Sequence, residues 1–312
     1  MTTNTTPKKL HSSCFKNFEE FKSTISESEM MRDFYDNAEK NNIRFEIKPK
    51  RHKAILSKSF FMSFFISLVF FGFLIDFQLA AILLFSIGFH EMGHLLVGKY
   101  FGLNTGGFVF LPGIGGAATV EFSNDGFSNF MAVIGGPFFG LILSLFLAGL
   151  YSFFPSEFLL EFVKWNTIIN LFNLLPLGII DGGKMLRHIV SPLPALIGFA
   201  IALCSFVGML VFFITIVNNP VLLIFVGLFG VMEAMSEYGH FKFRYKFKEE
   251  SEWLWKSIEH LEKNELNEGE KMLVSYEGVN ISKPLTLLDS LFCSVLWAFV
   301  FSILVMVFAA VA

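Results

Sequence analysis

Two histidines four residues apart, with a glutamate beside the first, stand out in the stretch Phe89-His90-Glu91-Met92-Gly93-His94. On a helix, side chains at i and i+4 share a face, so the imidazoles of His90 and His94 can hold one metal ion. Imidazole nitrogens are common zinc ligands, and two of them leave room for a carboxylate and a water in a tetrahedral catalytic site. Such a water loses its proton near neutral pH and can attack a carbonyl, with Glu91 taking the proton and passing it to the leaving amine. The stretch lies inside an apolar run, where a glutamate costs about 3 kcal/mol on insertion scales and therefore tends to line a functional cavity.

A third protein ligand is needed, and most other acidic residues lie in tails, turns or at the ends of apolar runs. Asp181 is the candidate. It follows Asn170-Leu-Phe-Asn173-Leu-Leu-Pro176-Leu-Gly-Ile-Ile and precedes Gly182-Gly183. Pro176 interrupts helical hydrogen bonding there, and a broken helix end exposes unpaired backbone groups in a polar pocket. His94 lies five residues before Lys99 and Asp181 three before Lys184. The two stretches therefore share a depth if both cross the membrane in the same direction. Were the apolar run between them not to cross, Asp181 would lie about 30 Å away, on the other side.

The elements that must position these residues are membrane helices. Of 312 residues 54% are hydrophobic and 16% charged, where soluble domains carry about 45–50% apolar and about 25% charged residues. The 42 phenylalanines exclude a disordered chain. A net charge of -3 provides no basic field for a nucleic acid. Cys14, Cys204 and Cys293 are odd in number and far apart, which suggests neither a disulfide framework nor a thiolate zinc site.

Apolar runs of about spanning length cover two segments split at Asp76 and Gln78 between residues 59 and 98, then 129–154, 158–180, 192–217, 220–237 and 286–311. The fold expected is an all-α polytopic membrane protein of about seven transmembrane helices, with a membrane-dipping β-hairpin between helices 2 and 3. The hairpin is read from Phe108–Leu111 and Ala117–Phe122, which flank Pro112–Gly116. The domains expected are a cytoplasmic N-terminal region, 1–58; a six-helix membrane core, 59–237; a cytoplasmic helical segment, 238–285; and a C-terminal transmembrane helix, 286–312. Phe15, Phe18, Phe21 and Ile25 have helical spacing in the first of these, and Trp253, Trp255, Ile258, Leu261 and Leu266 in the third. Lys48, Lys50, Arg51, Lys53 and Lys58 crowd the first span, which places the N-terminus in the cytoplasm. The same count puts Lys99, Lys184, Arg187 and the run Lys242 to Lys248 on that side.

The pairing of HEMGH in one membrane helix with NLLPLGIIDGG about 80 residues later resembles the site-2 protease family of intramembrane zinc metalloproteases. Asn173, Pro176, Asp181 and Gly182 match the family's second motif, and the glycine-rich hairpin with Gly135-Gly136-Pro137 also fits. The likeness covers about residues 79–190. It implies that His90, His94 and Asp181 bind Zn2+, that Glu91 is the catalytic base and that Asn173 positions substrate or the oxyanion. It further implies that the protein cuts transmembrane segments of other proteins in a lipid bilayer, by analogy a bacterial plasma membrane, with the active site near the cytoplasmic side. A strand edge of the hairpin would hold the unwound segment. This chain has Gly178-Ile179-Ile180 where many relatives carry two prolines, and Gly140 where some carry asparagine. No loop matches the domain of about 90 residues that some relatives use as a filter, so selection would rest on the cytoplasmic segments or a regulatory partner there.

Two other readings remain open: a CAAX-type membrane zincin, which takes a glutamate as third ligand, and a non-catalytic membrane protein that binds a metal or a client. A 2-His-1-carboxylate set also suits ferrous iron. The remaining candidates, His11, His52, His188, His240, His260 and the pair Glu233 and Glu237, read as residues of polar segments and interfaces.

Overall fold

The computed structural model describes residues 43–49, 57–112, 115–176, 180–212, 215, 235, 237–246, 255, 258–259, 270–276 and 279–312. The chain divides into two compact units, Met1–Lys50 with Ser236–Lys283 and Arg51–Met235 with Pro284–Ala312. The second is mostly helical and holds the candidate site. It comprises α1 (Lys58–Leu74), α2 (Phe77–Tyr100), α3 (Gly126–Phe153), α4 (Glu157–Asn173), α5 (Asp181–Ile189), α6 (Ala195–Phe212) and α7 (Leu287–Val311). One hairpin, β2 (Asn104–Leu111) with β3 (Gly115–Glu121), joins α2 to α3.

Polar residues in the breaks between apolar runs start the helices. Asp76 accepts from the Leu79 amide at 2.9 Å, Asp125 from Ser128 at 3.0 Å and Ser156 from Leu159 at 3.3 Å. Each supplies an acceptor for an amide that the first turn leaves unpaired. Asp76 thus divides the region from 59 to 98 into two helices, as its sequence suggests.

Helices α2 and α4 run in the same direction: Gln78 Nε2 donates to Glu161 Oε2 at 3.1 Å near one end, and His90 meets Asn170 at 2.8 Å further along both. Helix α3 lies antiparallel to them, since Ala132 meets His94 while Phe139 meets Phe89. The two stretches that carry the histidines and Asp181 therefore meet at one level. A core of Phe130, Val133, Ile134, Leu141, Leu174, Met185, Val300 and Leu304 joins α3, the end of α4, α5 and α7. Trp297 Nε1 donates to the Leu174 carbonyl at 3.1 Å, which satisfies one acceptor at the broken end of α4.

Three helices among the described residues, α2, α3 and α7, are long and apolar enough to cross a membrane. Phe146, Phe153, Leu291, Val295, Phe299 and Met306 are exposed along α3 and α7. Apolar surface of that extent calls for lipid, and this is a membrane protein. Seven spans are more than these helices supply. Helix α1 has 17 residues; α4 also has 17, carries Glu157, Glu161 and Lys164, and ends at Asn173, three residues before Pro176, instead of at 180. The run 220–237 lies almost wholly outside the described residues.

The hairpin matches its sequence signature closely, with Phe108 paired to Ala118 and Leu111 to Gly115. Phe108 and Phe110 bury against Phe60 and Phe64 of α1, and the Phe110 amide donates to Ser63 Oγ at 3.0 Å. The strand is thereby fastened to α1 by a hydrogen bond as well as by ring packing.

The other unit corrects the division of the polar segments. A three-stranded antiparallel sheet has the order β1 (Ile43–Pro49), β4 (Glu270–Tyr276), β5 (Val279–Ile281). Ile43 pairs with Tyr276 and Pro49 with Glu270, so the N-terminal region and the segment 238–285 belong to one structure. Residues 237–246 are helical, and Phe243 lies 5.6 Å from the Tyr276 ring, but 270–276 and 279–281 are strands. Helical rhythm around Trp255 does not carry on to residue 270. The proposed helix near Phe15 to Ile25 lies outside the described residues.

Candidate metal centre

Helix α2 places His90 and His94 on one face, with Nε2 atoms 3.1 Å apart. Asp181, the first residue of α5, brings Oδ2 to 3.0 Å from His90 Nε2 and 3.1 Å from His94 Nε2. Donor atoms of His90, Glu91 and His94 also lie within 4.8 Å of one another, and this buried group could hold a metal ion. Three residues separated by up to 91 positions thus present one atom each to a common point.

The tautomers follow from the outer partners. His94 Nδ1 faces the Ala132 carbonyl at 2.9 Å, and a carbonyl only accepts, so Nδ1 carries the proton. Asn170 Nδ2 donates to the Asn166 carbonyl at 2.8 Å, which turns Asn170 Oδ1 toward His90 Nδ1 at 2.8 Å. His90 is therefore protonated on Nδ1 as well. Both Nε2 lone pairs point at the Asp181 carboxylate oxygen, and three such atoms this close repel unless a positive charge lies among them. A proton serves two of them. A cation serves all three.

The spacing fits an ion. Donors around a tetrahedral zinc with bonds of about 2.05 Å stand about 3.3 Å apart. The glycines of α3 leave the room: a Cβ on Gly136 would overlap the Nε2 atoms of both histidines, and a Cβ on Gly140 would overlap the Asn170 amide. Gly182 is required for a different reason, because a Cβ there would strike the Leu175 carbonyl where α5 starts against the broken end of α4. Glycine after Asp181 thus lets the carboxylate come near enough to the histidines.

Behind His90 lies a buried polar chain. Asn166 Nδ2 donates to the Gly140 carbonyl at 2.9 Å and Ser144 Oγ at 2.7 Å, and Ser144 lies 3.0 Å from Thr167 Oγ1. Outer-shell partners of this kind set ring orientation and ligand basicity. Asn170→Leu is accordingly expected to weaken metal binding by about 10- to 100-fold, measured by competition with a chromophoric chelator. Asn173→Leu should leave the affinity unchanged.

Asn173 does not join the others. Its Nδ2 donates to Ile169 of its own helix at 3.0 Å, whereas Asn170, one turn earlier, holds His90. The sequence signal for Asn170 was present, a second amide at i-3 in an apolar helix, but spacing alone does not say which amide faces α2. Lys184 is also part of the site, with Nζ 3.1 Å from Asp181 Oδ1. A cleft of about 160 Å³ opens from the donors, lined by Glu91, His94, Asp181 and Lys184 on one side and by Ala118, Val120 and Phe122 on another.

His188 lies outside this cluster, its ring 6.4 Å from Phe122. Burial pushes its imidazole down to about 3, Arg187 acts in the same sense and Asp125 opposes them, so it is neutral at physiological pH. Glu237 and His240 belong to the other unit, while Glu233, His11, His52 and His260 lie outside the described residues. No protein-family model and no curated protein matches this chain.

Proposed function

We propose that this chain is an intramembrane zinc metalloprotease that hydrolyses peptide bonds within or near transmembrane segments of membrane-protein substrates, in the manner of the site-2 proteases it resembles. The observation that carries the reading is Asp181 Oδ2 at 3.0 and 3.1 Å from two imidazoles whose other nitrogens are already engaged. A glutamate adjoins them at the mouth of a cleft. Bound zinc supplies Lewis acidity, which brings the pKa of water toward 7 and polarises a carbonyl oxygen.

The protein's own groups do the rest. Glu91 takes a proton from the attacking water as its oxygen bonds to the carbonyl carbon. It then delivers that proton to the amide nitrogen as the C–N bond breaks. The histidines and Asp181 stay fixed through Asn170, Ala132 and Lys184, so the reacting atoms are held without reorganisation. Because helical amides are hydrogen-bonded and shielded, a substrate span must unwind near the cleft. Strand β3, whose Ala118 and Val120 line the cleft, offers backbone groups to such an extended segment. The lysines flanking the site, Lys99 and Lys184, support an orientation with the site toward the cytoplasmic side. The CAAX-type alternative takes a glutamate where this site brings Asp181.

A test uses the whole chain in lipid vesicles with membrane-spanning peptides, the products being read by mass spectrometry. Cuts inside the spanning portion are expected to stop with a chelator and return with zinc. A zinc-loaded chain that leaves every such peptide intact would remove the proteolytic reading.

A further inference from the structure

Resting on the metal-centre reading, we infer that Lys184 is a positioning residue that selects which oxygen of Asp181 faces the ion. A carboxylate offers two equivalent oxygens, and rotation about its last bond is soft. Here the two are sorted. Oδ2 stands 3.0 and 3.1 Å from the two histidine nitrogens, and Oδ1 stands 3.1 Å from Lys184 Nζ. The Asp181 side chain is 7% exposed and Lys184 38%, so the lysine reaches from the open cleft to a carboxylate otherwise enclosed.

Local helix electrostatics do not account for the cation. Lys184 lies at the start of α5, near the positive end of the helix dipole, where a cation is disfavoured. What compensates is Asp181 one turn earlier, in the orientation in which acid and base attract across i, i+3. An ammonium cannot itself bind a metal, because it has no lone pair. Its effect is to occupy Oδ1, so that the ion receives one oxygen from Asp181 and keeps a position open for water. Without Lys184, both oxygens turn toward the ion and that open position is filled.

Cobalt reports the difference. Four-coordinate Co(II) absorbs strongly in the visible because its site lacks an inversion centre, and the band weakens when a fifth donor enters. The experiment loads Co(II) into metal-stripped full-length chain in detergent and compares wild type with Lys184→Met and Lys184→Arg. Wild type is expected to bind one cobalt with an intense visible band. Lys184→Met should still bind one cobalt, and its band should lose intensity as the second Asp181 oxygen enters. Lys184→Arg should restore the band. A Met variant with the spectrum of wild type overturns the inference and leaves the metal centre standing. A wild-type chain that takes up no cobalt overturns the centre and the inference with it. Loss of the band in the Met variant that arginine fails to restore also counts against it, since a guanidinium too donates to a carboxylate oxygen.

Discussion

Asp181→Ala is expected to purify without a metal ion while keeping its helical content. Zinc peptides gain about 10–16 kcal/mol from four ligands, so one ligand accounts for roughly 3–4 kcal/mol, or about 10²–10³ in affinity. In a site with only three protein donors the loss is felt in full. The fold has little reason to suffer: Asp181 reaches the histidines by its side chain, while α5 is held by Met185 in the core and by the Ser290 hydroxyl on the Ile189 carbonyl at 2.6 Å. Lys184 is partly open to solvent and tolerates loss of its partner. Elemental analysis beside circular dichroism reads both results, and His90→Ala should behave alike. One zinc per chain in the Asp181→Ala protein would show that the carboxylate is not a ligand.

Glu91→Gln should separate binding from chemistry. Glu91 lines the cleft next to His94, whereas the triangle of donors is closed by Asp181. Glutamine keeps the shape and a hydrogen-bonding oxygen but cannot take up a proton at neutral pH. Zinc content is therefore expected to stay at that of wild type. Peptide hydrolysis should fall by about 10²–10⁴, the usual contribution of a positioned general base. Single-turnover cleavage in vesicles, with zinc measured on the same sample, makes the comparison. Hydrolysis at the wild-type rate would take the proton-transfer role away from Glu91, and loss of zinc would make it a ligand.

Some parts of the site are legible before any fold is known because they are local. The i, i+4 geometry of His90 and His94 follows from helical periodicity wherever the helix lies. Capping by Asp76 and Asp125 follows from unpaired first-turn amides, and the hairpin from alternating apolar residues around glycine and proline. Asn170 is different. It differs from Asn173 by one turn on the same helix, and only the packing of α4 against α2 puts its amide on His90 at 2.8 Å. The strands β1 and β4 were hidden for the same reason, since Ile43 and Tyr276 meet across more than 200 residues of chain.

By itself, then, the order of residues determined the donor types, the shared face of the two imidazoles, a glutamate at the adjacent position and the need for lipid around the helices. Tertiary structure alone decided which carboxylate oxygen closes the triangle, which amide sets the tautomer of His90, and that α3 has glycine where the donors converge. Those outcomes depend on helix directions and crossing contacts between segments about 40 to 90 residues apart. Contacts of that kind arise from burial and close packing, which no short stretch of sequence specifies.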